Sequence, residues 1–201
     1  IKLLNPIASQ MSVMRSSLIG SLMQVLRHNL DRKADRVRVF ELGRVFLRDP
    51  SVKDSDSTVE GLNQPMRVSG VAYGPVTTTT WGGKVRNVDF FDVKGEVEAL
   101  LSPAKPVFES AEHPAMHPGR CAQVKLNDQV IGHVGELHPR WRQSWGLQFA
   151  PIMFELDLEA VLQRDIPVAK GVARFATRCF AQRMLRQAPR WRMPILGPHR
   201  S

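Results

Sequence analysis

The strongest constraint in this chain is a change of hydrophobic period between residues 18 and 47. Leu18, Leu22, Val25, Leu26 and Leu30 recur at the three-to-four-residue spacing that gathers apolar side chains on one face of a helix. Arg27, His28 and Asp31 fall on its other faces. Ser16 or Ser17 can cap the start, because a side-chain oxygen there accepts from a backbone N–H the helix leaves unpaired. After the charged connector Asp31-Arg32-Lys33-Ala34-Asp35, residues 37–47 become a run of branched and aromatic side chains that reads as a strand. Val37 and Val39 take one face and Phe40 and Leu42 the other, which predicts a bulge or burial on both faces.

The remainder alternates short strands with separate helices. Residues 49–65 are polar and punctuated by Pro50, Gly61 and Pro65, an exposed loop joining two strands. Residues 66–73 read as the next strand, and Thr77-Thr78-Thr79-Thr80 as a loop. Residues 89–101 form a helix with Val93, Val97, Leu100 and Leu101 on one face, weakened modestly by Gly95. Two strands within 122–137 turn at Asn127-Asp128, a hairpin signal without its usual glycine. Residues 138–145 suit a short helix with proline in its first turn, 152–156 a strand and 158–162 the start of a final helix. The pattern indicates an α+β domain on an antiparallel sheet. There is no internal repeat.

The 201 residues allow one good-sized domain and a tail. A net charge of +9 suggests a nucleic-acid binder until the charges are located. All 19 acidic residues lie at or before Asp165, whereas Arg174, Arg178, Arg183, Arg186, Arg190, Arg192 and Arg200 follow without an acid. Residues 1–173 carry 21 basic against 19 acidic groups, a net of +2. The basic signal therefore belongs to the tail. Cys121 and Cys179 are too few for a disulfide framework and read as reduced thiols. No stretch approaches the length of a membrane span, so a soluble cytoplasmic chain is expected, and the start at Ile1 suggests an N-terminally incomplete one.

No catalytic, cofactor-binding or metal-ligating residue emerges from the motifs. His113 and His117 have the four-residue spacing of a helical metal pair, but Pro114 and Pro118 disfavour the helix and no third ligand stands nearby. His133 and His138 read as surface or hydrogen-bonded core residues, and His28 as solvated. Phosphate-cradling loops of the P-loop or Rossmann type are absent, as is the GxSxG elbow. Asp92-Val93-Lys94-Gly95-Glu96 reads as surface salt bridging, and Cys121 beside Arg120 as a small apolar residue entering a strand. Trp81, Trp141, Trp145 and Trp191 could stack bases among Arg86, Arg140 and Arg142, but core or interface packing is the commoner use of tryptophan.

Five segments in order resemble the catalytic-like module of bacterial phenylalanyl-tRNA synthetase β chains. They are the block from Asn5-Pro6-Ile7 through Gly43-Arg44-Val45-Phe46, then Asp89-Phe90-Phe91-Asp92-Val93-Lys94-Gly95, and His117-Pro118-Gly119-Arg120 with Ala122. Ile131-Gly132-His133-Val134-Gly135-Glu136-Leu137-His138-Pro139 and Phe154-Glu155-Leu156-Asp157-Leu158 complete them. The resemblance spans nearly all of 1–175. It implies a class II aminoacyl-tRNA synthetase-like antiparallel sheet flanked by helices. It also implies a tetramer of two α and two β chains that joins phenylalanine to its tRNA with ATP and magnesium, the α chain being the catalyst.

Gly43-Arg44-Val45-Phe46 takes the place of the motif whose arginine grips ATP in active cores. Two departures speak against activity here. Leu47-Arg48-Asp49 stand where an acidic partner would follow Arg44, and Phe154-Glu155-Leu156-Asp157-Leu158 replaces the glycine-rich segment with a second ATP-binding arginine. The resemblance thus implies a non-catalytic structural module of a ligase, with Leu18, Leu22, Val25 and Leu26 contributing to packing against the α subunit. The same face could equally cover the chain's own sheet. Residues 176–201 depart from the family pattern and read as a disordered basic arm or as translation out of frame, the second being favoured. An alternative function is an RNA-binding module acting through that tail and the tryptophans.

Overall fold

A computed structural model describes residues 1, 12–55, 58–77 and 86–163. All belong to the first of two units into which the chain divides, residues 1–166. Helix α1 (Ile19–Asp31) leads into strands β1 (Val37–Arg44), β2 (Leu47–Arg48), β3 (Leu62–Asn63) and β4 (Met66–Tyr73). Helix α2 (Phe90–Leu101) is followed by β5 (Val107–Ser110), β6 (Met116–Leu126) and β7 (Gln129–Leu137). Helix α3 (Pro139–Ser144), β8 (Ile152–Asp157) and α4 (Leu158–Leu162) complete the set. Six strands form one sheet in the order β1-β4-β8-β7-β6-β5, each neighbouring pair antiparallel, and β2 and β3 make a separate small ribbon.

The sheet is covered on both faces because its strands carry apolar side chains on both. On one face, Leu22, Met23 and Leu26 of α1 pack with Val37, Val71, Tyr73, Cys121, Leu137 and Met153. On the other, Val93, Val97 and Leu101 of α2 and Val161 of α4 pack with Val68, Ala72, Val124, Val134 and Leu156. Each fully buried side chain of this size contributes roughly 1.5–3 kcal/mol relative to exposure, so these layers hold the fold. Gly132 permits the close approach of β7 and β8, since a Cβ there would lie 2.1 Å from the Glu155 carbonyl oxygen.

Much of the local reading holds. Asp89 caps α2 by accepting from the Phe91 and Asp92 N–H groups, and Asp92 returns the bond to the Asp89 N–H. Asn127 and Asp128 both have positive φ, 51° and 61°, so the β6–β7 turn does without glycine by using the two residue types that best tolerate that region. His138 caps α3, its Nδ1 accepting from the Arg140 N–H at 3.1 Å. Ser17 Oγ accepts from the Ile19 N–H at 3.1 Å, although the residue preceding α1 is Leu18.

Four expectations are corrected. The strand over 37–47 is broken at Val45 and Phe46, where Val45 turns wholly inward and its N–H donates to the Pro65 carbonyl. The loop over 49–65 ends in β3, which pairs with β2. β5 was not expected, because its pattern of exposed and half-buried positions lacks an apolar stripe. Neither a bulge nor two-sided burial is found in β1, since its register with β4 is continuous from Val37 to Arg44. Phe40 and Leu42 are instead 72% and 52% exposed. The reason is topological: β1 is an edge strand. The Thr77–Thr80 run beyond Thr77, Trp81, and residues 164–201 with Cys179, Trp191 and the basic tail lie outside the described residues.

Candidate functional site

The centre of the sheet carries a buried carboxylate. Glu155 lies in the middle of β8 with 5% of its surface exposed. Its Oε2 accepts from Ser17 Oγ at 2.6 Å and from the Leu18 N–H at 3.1 Å, and its Oε1 accepts from Arg67 Nη1 at 2.9 Å. A negative group just ahead of the first turn of α1 is favoured by the helix dipole, and Arg67 balances its charge. Glu155 therefore joins the start of α1 to the centre of the sheet across about 137 residues of sequence. Its signal in the sequence is an acid inside an apolar strand, Ile152-Met153-Phe154-Glu155-Leu156. Its partners Ser17, Leu18 and Arg67 are remote along the chain and leave no local signal.

Glu155 belongs to a polar row that crosses all six strands. Cross-strand pairing places Glu41 opposite Ser69, Ser69 opposite Glu155, Glu155 opposite His133, His133 opposite Gln123 and Gln123 opposite Glu109. Directly opposed residues share a face. Most of the row is committed to internal bonds: Arg15 to Glu41, Ser69 Oγ donating to the Phe154 carbonyl, and Gln123 Nε2 and Lys125 Nζ to Glu109. The His113 ring packs 5.1 Å from that of His133, at a tilt of 43°. Burial lowers the pKa of both rings, Arg67 lowers them further, and Glu155 opposes the shift. Both imidazoles are thus neutral near pH 7 and unsuited to gripping a phosphate.

Arg44 stands at the end of β1, exposed, with Nη1 donating to the Gln64 carbonyl at 3.3 Å. Its carbonyl accepts from Arg15 Nε at 2.9 Å. Arg15 is thus the cation beside it, and Arg15 is itself paired with Glu41. Among the described residues no cluster of three or more His, Cys, Asp or Glu is placed to hold a metal.

The His117-Pro118-Gly119-Arg120 segment interrupts the β6–β7 register, and Gly119 takes the turn at φ +90° that an L side chain would strain. Arg120 Nη1 donates to Glu136 Oε2 at 2.7 Å beside a cleft of about 700 Å³ bordered by Phe91, Phe149 and Arg142. Cys121 lies in its floor, with Sγ donating to Met116 Sδ at 3.5 Å; burial raises its pKa, so the thiol is not activated. Asp92 is held well below the carboxylate range, at about 2, chiefly by its bond to Arg86. Trp145 packs against the α1 core, while Trp141 is 41% exposed with the Arg140 guanidinium over its ring.

Of the four helix residues expected at a subunit boundary, Leu18 and Leu26 are 0% exposed and Leu22 is 2% exposed. Leu22 and Leu26 sit in the chain's own core, and Leu18 lies against Gly43 of β1. Val25, 41% exposed, faces outward.

Residues 1–158 match the family model described as the phenylalanyl tRNA synthetase beta chain CLM domain. The chain belongs to the phenylalanyl-tRNA synthetase β-chain family. It is 56% identical over 175 residues to a phenylalanine–tRNA ligase beta subunit of Burkholderia lata, which covers 87% of this chain and 22% of that relative. It is 54% identical over 175 residues to the Cupriavidus pinatubonensis beta subunit, with the same coverage. The Chromobacterium violaceum beta subunit is 51% identical over 175 residues, 87% of this chain and 21% of its own length. The chain therefore spans about a fifth of the length of the curated relatives it matches. No helix among the described residues is long and apolar enough to cross a membrane.

Proposed function

We propose that this chain is a non-catalytic structural module of the β subunit of phenylalanine–tRNA ligase. It has a class II synthetase-like sheet and supports ATP-dependent charging of tRNA with phenylalanine by the α subunit. The carrying observation is Glu155. Its segment stands in place of one that would bring a second phosphate-binding cation, and its carboxylate is spent on Ser17, Leu18 and Arg67. A buried anion repels a phosphate and fixes a helix, which is a structural use of the position. Chemistry, with ATP and magnesium, belongs to the α subunit, in a cytoplasmic complex of two α and two β chains that tRNA meets as a whole. Val25 meets the partner directly; Leu18, Leu22 and Leu26 act by holding α1 on the sheet.

Phenylalanine-dependent exchange of pyrophosphate into ATP tests this reading. The purified chain is expected to give none above background, and activity with the chain alone would overturn it. Residues 1–175 form the module in this reading, and 176–201 are an out-of-frame continuation. Translation of the coding DNA in all three frames tests that second point: a downstream frame encoding further β-chain sequence supports it, and its absence contradicts it.

A further inference from the structure

Two histidines, each followed by proline, are held in the same way and bonded to one another. In the connector between β5 and β6, His113 Nδ1 accepts from the Ala115 N–H at 3.2 Å, and the His113 carbonyl accepts from the Met116 N–H at 2.9 Å. At the start of α3, His138 Nδ1 accepts from the Arg140 N–H at 3.1 Å. The Ala115 carbonyl accepts from the His138 N–H at 3.0 Å, so the first turn supports the second. Pro114 and Ala115 of that turn also line a hollow of about 340 Å³, together with Met23, Leu137, Trp141 and Trp145.

An imidazole nitrogen that accepts a backbone N–H has no proton of its own. The neutral His113 ring therefore holds its proton on Nε2, and a second proton can bind only at Nδ1, the atom that accepts from Ala115. Once bound, it sets two donors face to face, so the turn bond and a charged His113 exclude each other. The surroundings work in the same direction. The ring lies 5.1 Å from that of His133 on β7, and the charged groups acting on it are Glu155 of β8 and Arg67 of β4. Burial disfavours the charged ring, Glu155 favours it and Arg67 disfavours it. Glu155 is already bonded to Ser17, the Leu18 N–H and Arg67, so its charge is largely committed. Glu112, the neighbour in sequence, is exposed.

We propose that His113 pins an acid-released latch: a proton gained at Nδ1 opens the turn over 113–116, and with it the start of α3, while the sheet stays folded. Released into water, the ring regains an ordinary imidazole affinity for protons, near pH 6.5. The closed turn excludes that proton, so it is favoured above this pH and loses ground below it. For one ring, a pH one unit lower shifts the opening equilibrium about tenfold. The capping box of α2 and the pairing of β8 with β4 and β7 involve neither His113 nor His138 in their bonds to the turn, so they can persist as it opens.

The test is native-state hydrogen exchange of the full chain, each rate being divided by its intrinsic value at that pH. Between pH 7.5 and 5.5 the amides of Ala115, Met116, His138 and Arg140 should lose protection about tenfold. That loss should not grow with low urea, whereas exchange through global unfolding does, which separates the two routes. His113→Asn supplies a side-chain oxygen for the Ala115 N–H without titrating, and should remove the acid-induced loss. An equal loss in His113→Asn, no loss in the wild type, or a loss that grows with urea as that of the β8 amides does would each overturn the latch. Imidazole ¹⁵N shifts of the wild type give a second reading that needs no variant. At pH 7.5 His113 should show a bare Nδ1 and a protonated Nε2, with Nδ1 gaining its proton in step with the loss of protection. The opposite tautomer, or a ring that charges while Ala115 stays protected, contradicts the mechanism.

Discussion

Replacing Glu155 with alanine should destabilise this module more than removing any surface charge. The substitution leaves three donors facing an emptied site: Ser17 Oγ, the Leu18 N–H and the Arg67 guanidinium. Breaking a buried ion pair by deleting one partner costs about 3–5 kcal/mol, because the other charge stays desolvated. Here the Arg67 side chain is 30% exposed and can recover some hydration, which places the loss near the lower end, ~3 kcal/mol. For a domain of this size each kcal/mol moves the midpoint by roughly 2–4 °C, so a drop of about 6–12 °C follows. Glu155→Gln keeps the shape and one acceptor oxygen and should lose about half as much, since hydrogen bonds to charged groups are worth ~1.5–3 kcal/mol. Urea unfolding at pH 7.5, followed by tryptophan fluorescence and circular dichroism, measures both. A Glu155→Ala/Arg67→Ala double variant closes the cycle and should be markedly less destabilised than the sum of the singles. A loss under ~1 kcal/mol for Glu155→Ala, or strict additivity with Arg67→Ala, would refute the anchoring role.

Three further outcomes follow from the same geometry. Leu26→Ala should cost about 2–5 kcal/mol and Val25→Ala within ~0.5 kcal/mol, although the two are adjacent in α1, and equal losses in urea unfolding would contradict the burial pattern. Gly132→Ala should prevent accumulation of folded protein, since its Cβ would meet the β8 backbone, whereas Gly95→Ala, with open space around it, should be neutral or stabilising; a folded, native-melting Gly132→Ala chain would refute the close approach. His113 and His133 have folded-state pKa values below 6.5, so the unfolded chain binds more protons as pH falls beneath that value. Stability should decline from pH 7 downward through 6.5 until the lowered folded values are passed. The urea midpoint should fall between pH 7.5 and 5.5, and the same slope in a His113→Gln/His133→Gln variant would exclude these rings as its cause.

The contrast between legible and illegible features lies in how far apart the interacting residues are. Asp89, Asp92, Asn127, Asp128 and His138 bond within three residues of themselves or set local φ values, so their roles can be read from short windows. The α1 periodicity likewise identifies a helix with a buried face, since Leu22 and Leu26 follow the turn of the helix. Whether that face meets the chain's own sheet or another subunit depends on β4 and β8, which arrive 40 to 135 residues later. The same limit hid Glu155, whose donors lie 88 to 138 residues away along the chain. Phe40 and Leu42 expose it most clearly. Their composition is that of a buried strand, and only the position of β1 at the sheet edge leaves them in solvent.

Assembly without chemistry is the centre of this account, and direct association tests it best. Sedimentation velocity of the purified chain mixed with the α subunit of phenylalanine–tRNA ligase should give a new, faster boundary containing both chains in equal amounts. Two independent boundaries, unchanged at concentrations of tens of micromolar, would contradict it.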